Sequence, residues 1–188
     1  MKLNVVLPAL ALLALSACAT NKPTSAAPET LPNITGEVPL PVARPSMATV
    51  SGPKGKITGL LTFKDEGKKI RVIGEFNGLK PNTEHGLHVH ENADCKPPKF
   101  ESAGGHWNPQ KTEHGGPEDK MRHPGDLGNV MSDANGKAVI DRQIPAGVGV
   151  GTFSGKSIIL HSKRDDLKTQ PTGDAGDRIA CGLIKEVQ

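Results

Sequence analysis

The chain has 188 residues, with 23 Lys and Arg against 20 Asp and Glu, and a formal net charge of +3. Aromatic residues make up only 3%, with one Trp and no Tyr, and the basic residues are dispersed without interleaved aromatics, which excludes a nucleic-acid stripe or stacking platform. The length suits one domain behind a short leader, and a domain of that size buries ~68% of its unfolded surface.

Lys2 gives a positive start, and residues 5–15 form an apolar run. A bilayer span needs about 20 such residues, so the run reads as the h-region of a signal peptide. Directly behind it, Leu15, Ser16, Ala17 and Cys18 resemble the lipobox of bacterial lipoproteins, in which the cysteine becomes the lipidated first residue of the mature protein. Cleavage of an ordinary signal peptide near Ala17 or Ala19 is the alternative. From 19 to 45 the composition turns to Pro, Ala, Thr, Ser and Asn without apolar periodicity, the mark of a flexible tether. The expected organisation is therefore a signal peptide over 1–18 ending at a lipidated Cys18, a tether over 19–45 and a folded domain over 46–188, held by its lipid anchor in the periplasm or cell envelope. With Cys18 acylated, Cys95 and Cys181 remain as a pair in an oxidising compartment, where a disulfide persists. Closing so long a loop stabilises a fold by about 4.5 kcal/mol in the chain-entropy model. Two free buried thiols are the alternative.

Within the domain, short strands are expected at 48–51, 56–63, 69–76, 84–91, 137–144, 156–161 and 178–187. Residues 69–76 alternate well, with Ile70, Val72 and Phe76 on one face and Lys69, Arg71 and Glu75 on the other. Turns are expected at Gly52-Pro53-Lys54-Gly55, at Asp65-Glu66-Gly67 and at Asp133-Ala134-Asn135-Gly136. Short strands at regular spacing, punctuated by Gly and Pro and lacking a helical period, indicate an all-β sandwich or barrel.

In the strand at 84–91, a period of two sends Leu87 and Val89 to one face and His88 and His90 to the other, a rigid two-imidazole claw. Behind it, residues 92–129 show no strand or helix pattern, and a loop that long needs something to pin it. His106, His114, His123 and Asp126 lie along it and can close a four-ligand tetrahedral zinc site with no position open to water, which is a structural rather than a hydrolytic arrangement. His161 ends the apolar strand at 156–161. Ligand counting gives His88, His90 and His161 to one metal and His114, His123 and Asp126 to another, with His106 free to join either. His85 is left over and expected to be solvated.

The runs GLHVHE (86–91), GHWNP (105–109), HGGP (114–117), HPGDLGNV (123–130), SIILH (157–161) and RIACGLI (178–184) resemble, in order, the motifs of Cu/Zn superoxide dismutase. The resemblance spans about residues 50–188 and implies an eight-stranded Greek-key sandwich or flattened barrel with long metal-binding and channel loops. It implies one copper per subunit on His88, His90, His106 and His161, and one zinc on His106, His114, His123 and Asp126, with His106 bridging. By the same resemblance Cys95 and Cys181 form the family disulfide, and Asp165 hydrogen-bonds a copper and a zinc histidine, here His88 and His114. Arg178 orients the anionic substrate beside copper, Thr172 narrows the channel, and the reaction is the disproportionation of superoxide to oxygen and hydrogen peroxide.

The channel loop at 162–177 is short, and Asp174 and Asp177 flank Arg178 acidically; Lys96 and Lys99 are candidates to replace the missing positive field. A non-catalytic copper-binding or delivery module is the rival function. The sequence leaves monomer or homodimer open.

Overall fold

The computed structural model describes residues 44–188; the expected signal peptide, Cys18 and the expected tether up to residue 43 lie outside the described residues. The strands are β1 (Ser46–Ser51), β2 (Thr58–Asp65), β3 (Lys69–Asn77), β4 (Glu84–His90), β5 (Asp126–Met131), β6 (Ala138–Pro145), β7 (Ser157–His161), β8 (Arg178–Leu183) and the two-residue β9 (Lys185–Glu186). Among the described residues there is no α-helix, only three short 3-10 turns.

All pairings are antiparallel, in the order β5-β4-β7-β8-β1-β2-β3-β6, with β9 beside β1. The chain leaves β3 for the β4–β5 hairpin and returns as β6 beside β3, then crosses again so that β7 lies beside β4. These two returns make the Greek key, and the eight main strands form a nearly closed barrel whose open seam lies between β5 and β6.

The turns form as their residue types dictate. At the β2–β3 hairpin, Asp65 Oδ1 accepts from the Gly67 N–H at 2.8 Å, and Gly67 takes the positive φ of 77° that glycine adopts without strain. Between β5 and β6, Asp133 Oδ1 accepts from both Asn135 and Lys137 N–H at 2.8 Å. The inward rows then meet: Leu61, Phe63, Val72, Phe76, Leu87, Val89, Ile158 and Leu160 are fully buried in one core. Phe153 packs edge-on against Phe63 and Trp107, with ring centroids 5.6 and 5.4 Å apart, contacts worth about 0.5–1.5 kcal/mol each beyond area burial.

Two expectations are corrected. The span expected to be structureless, 92–129, ends in a strand, because β5 begins at Asp126. Its Asp-Leu-Gly-Asn composition and a bulge at positive-φ Gly128 conceal the period of two. His85, expected in solvent, is 2% exposed. Both faces of β4 are covered, one by the barrel core and the other by the loop that follows it.

Candidate metal centre

β4 aims His88 and His90 away from Leu87 and Val89, as its alternation requires. Three contacts turn the following loop back onto β4. Glu91 N–H donates to Gly105 O at 3.1 Å, Gly105 N–H to Glu91 Oε1 at 3.0 Å, and Trp107 N–H to Val89 O at 2.8 Å. His106 is thereby placed opposite His90 as an isolated antiparallel bridge. Asp126, at the start of β5, pairs in register with His88, and Arg178, at the start of β8, pairs with His161 at the end of β7. The disulfide Cys95–Cys181, with Cα atoms 5.7 Å apart, ties the loop to β8 over a small cluster of Phe100, Ala103 and Ile159.

The ring nitrogens can be accounted for one by one. His90 Nδ1–H donates to Gly104 O at 3.0 Å and His161 Nδ1–H to Gly176 O at 3.2 Å, since a carbonyl can only accept. Their Nε2 atoms therefore carry lone pairs, yet they face each other at 3.4 Å, a contact that favours a cation between them. His88 spends Nε2 on Asp165 Oδ2 at 2.7 Å, which leaves Nδ1 buried without a hydrogen-bond partner; His106 Nε2 is equally orphaned. Ligand atoms of these four histidines lie within 4.8 Å of one another.

On the other side of His106, three Nδ1 atoms surround one carboxylate. His106 Nδ1 and His123 Nδ1 are each 3.1 Å from Asp126 Oδ1, and His114 Nδ1 is 3.0 Å from Oδ2. His114 Nδ1 makes that approach without hydrogen-bond geometry, as ligand atoms do around a shared ion. Asp126 Oδ2 also accepts from His123 N–H at 2.9 Å. Asp165, fully buried, joins the two groups: Oδ2 to His88 Nε2, and Oδ1 to His114 Nε2 at 3.0 Å. His106 thus lies in both clusters, where its spacing alone left either one open.

The electrostatics divide along the same line. Burial pushes His106 down to about 4 and His161 to about 3, and lowers His90 well below the usual range, so these rings are neutral and their nitrogens free to ligate. For His114 burial also pulls downward, but the carboxylates of Asp126 and Asp165 outweigh it and raise the ring to about 9. Burial opposes ionisation of Asp126 and Asp165, yet their imidazole partners hold both carboxyls well below the ordinary range. Orphaned buried nitrogens and an anionic carboxylate enclosed by imidazoles are the donor set of two cations.

Arg178 donates to Phe100 O at 2.8 Å and to Gly104 O at 2.6 Å, and Gly104 O is also the acceptor of His90. The guanidinium opens onto a cavity of about 450 Å³ lined by Pro98, Lys99, Glu101, Gly176 and Asp177. Lys99 stands at this rim, 3.8 Å from Glu101, whereas Lys96 is paired with Asp94 at 3.0 Å. Thr172 is exposed, immediately before Gly173. Three supporting residues escaped the sequence reading. The His85 ring donates to His161 O, and the Asn129 side chain both accepts from Asp165 N–H at 2.7 Å and donates to Asp165 O at 2.9 Å. The Gln170 side chain holds His114 N–H and C=O in the same two-way manner, at 2.8 and 2.9 Å. Only His85, beside the two-histidine motif, carried a signal that could have been followed.

A nearly closed antiparallel barrel with two buried histidine clusters sharing one imidazole defines a binuclear metalloprotein. The copper/zinc superoxide dismutase family matches residues 57–184, and the chain belongs to that family. It is 39% identical over 154 residues to the superoxide dismutase [Cu-Zn] of Paramecium bursaria Chlorella virus 1, covering 77% of this chain and 81% of the relative. It is 36% identical over 151 residues to the extracellular superoxide dismutase [Cu-Zn] of Brugia pahangi, covering 74% of each. Among solved structures it resembles the clock protein EA4, with a TM-score of 0.68 and 36% identity over 79% of this chain and 98% of that one. The metals of the family, copper and zinc, suit the two clusters.

Proposed function

We propose that the chain disproportionates superoxide, two O2•− and two protons giving O2 and H2O2. The observation that carries this is the shared His106, with one ring nitrogen in each of two buried clusters. Copper is assigned to His88 Nδ1 and to the Nε2 atoms of His90, His106 and His161; zinc is assigned to the Nδ1 atoms of His106, His114 and His123 with the Asp126 carboxylate. Copper, when bound, supplies the one-electron exchange with superoxide, and zinc supplies fixed positive charge.

The residues of the chain do the rest. Arg178, its fork held by two carbonyls, presents fixed positive charge to a small anion entering the cavity. His106 can take a proton at Nε2 while Nδ1 stays engaged on the zinc side, and can hand it to the reduced product. Asp165 keeps His88 and His114 in the tautomers that leave both Nδ1 atoms free. Lys99 adds positive field at the rim, and Thr172 narrows the channel mouth.

Extracellular relatives and the disulfide support an exported protein. We place it in the periplasm or cell envelope, as a bacterial lipoprotein anchored through Cys18 with 19–45 as its tether and 46–188 as the enzyme domain; a homodimer is part of the proposal. Mass spectrometry of the mature N-terminus and release into the soluble fraction by Cys18→Ala test the anchor, and sedimentation equilibrium tests the dimer. For the activity, the decisive assay is superoxide consumption by protein loaded with both metals, beside His161→Ala. Activity abolished by the substitution supports the proposal; an inactive loaded wild type overturns it.

A further inference from the structure

Arg142 breaks the pattern of its own strand. Along β6, Ala138, Ile140 and Ile144 are buried in the core while Val139, Asp141 and Gln143 face solvent, so position 142 falls on the inward row. A guanidinium there must be satisfied. Its partners are two backbone carbonyls on the far side of the open seam: Nη1 donates to Leu127 O, and Nη2 to Asn129 O at 2.9 Å.

The reason those carbonyls need a donor lies in the β4–β5 register. Gly86 faces Asn129 and His88 faces Asp126, so two steps along β4 are matched by three along β5. The extra residue is a bulge around Leu127 and Gly128. Gly128 has φ 78°, a conformation that favours glycine, and a Cβ there would stand 2.7 Å from Arg142 Nη1, so any other residue would crowd the guanidinium off its present position. Along this edge, among the described residues, β5 pairs with no strand other than β4, and one isolated bridge just beyond it, Ser132 to Ala138, reaches β6. The fork of Arg142 supplies the two donors that a strand would have given.

The bulge sets the spacing between Asp126 and Asn129. Asp126 holds His106, His114 and His123 around its carboxylate, while Asn129 fixes the backbone of Asp165, whose carboxylate joins His88 to His114. We infer that Arg142 is a positioning residue of the metal centre, locking the β5 bulge whose two ends carry Asp126 and the support of Asp165. This inference rests on the reading that His106, His114, His123 and Asp126 hold zinc.

The test uses the full chain, demetallated and reloaded, as wild type, Arg142→Met, Arg142→Lys and the control Arg71→Met on the outer face of β3. Zinc affinity is measured by chelator competition, the visible spectrum of cobalt(II) in the zinc position is recorded, and amide exchange is followed over 126–130. Arg142→Met should weaken zinc by about 10–100-fold, alter the cobalt spectrum and speed exchange across the bulge. Arg142→Lys, with charge but no fork, should recover only part, and Arg71→Met should change none of the three. A merely structural arginine would lower the urea midpoint and leave zinc affinity and cobalt spectrum at wild-type values. That result in Arg142→Met, or in Arg142→Lys if the methionine variant does not fold, overturns the inference. A wild type that binds no zinc overturns the zinc reading instead, and the inference falls with it.

Discussion

The imidazole of His85 donates from Nδ1 to the backbone carbonyl of His161 at 2.7 Å, so the strand that carries two members of the copper-side cluster also secures the backbone of a third. His85 is buried and Nε2 has no partner, the cost of placing this donor in the interior. His85→Leu should cost about 1–3 kcal/mol, because a buried carbonyl loses its donor. It should also weaken copper binding by roughly 10-fold while leaving zinc binding unchanged, as expected when support around a ligand is lost. His85→Gln, which retains an N–H, should recover most of the loss. The only Trp, Trp107, sits next to His106, so quenching of its emission reports copper loading directly. Equal copper affinity in wild type and His85→Leu would remove His85 from the support of the site.

Asp165 is a different kind of support, because both carboxylate oxygens are committed: one to His88, the other to His114. Asp165→Asn keeps the shape but leaves a single acceptor oxygen. One imidazole then loses the partner that fixes its tautomer, and zinc affinity should fall by about 10–100-fold. Chelator competition checks this, and an unchanged zinc affinity contradicts it.

The demetallated protein should be most stable near pH 6.5. His90, His106 and His161 have folded values below their unfolded 6.5, with His106 at about 4 and His161 at about 3. As pH falls below 6.5, the unfolded chain takes up protons that the folded chain refuses, and stability is lost. From pH 6.5 to 5 His106 and His161 each forfeit about 2 kcal/mol, and His90 acts in the same direction. His114 has the opposite sign: raised to about 9, its contribution is complete below 6.5 and is lost as pH rises through 9. Urea midpoints at pH 5, 6.5 and 9 measure both limbs. Metal loading keeps the same nitrogens deprotonated in the folded chain, so it should raise stability while leaving the acid limb at least as steep, and a flat acid limb in the demetallated protein would refute the assignment of neutral buried rings.

Lys99 is exposed at the rim of the Arg178 cavity and only 3.8 Å from Glu101. Reversing its charge leaves that cavity with Glu101, Asp177 and a third acid against one guanidinium. Lys99→Glu should at least halve the turnover rate at low ionic strength and weaken the salt dependence, since screening acts on the long-range attraction alone. Superoxide dismutases are themselves a standard case of such steering. An unchanged rate and slope would confine substrate guidance to Arg178.

Much of this protein was determined by the sequence alone. The alternation of Leu87, His88, Val89 and His90, the turn residues at Asp65-Glu66-Gly67 and at 133–136, and the motif order pointed to the β architecture and to the seven residues that the fold gathers into the two clusters. Those signals are local, carried by side-chain period and backbone preference within a few residues. The tertiary structure decided what depends on distant segments. It made His106 common to both clusters, because loop 91–125 folds back to pair His106 with His90. It also concealed β5, whose bulge breaks the strand period and is satisfied by an arginine on β6. It gave His85, Asn129 and Gln170 their work through backbone groups far along the chain, and a hydrogen bond to a backbone carbonyl or amide leaves no residue-type signature in its partner.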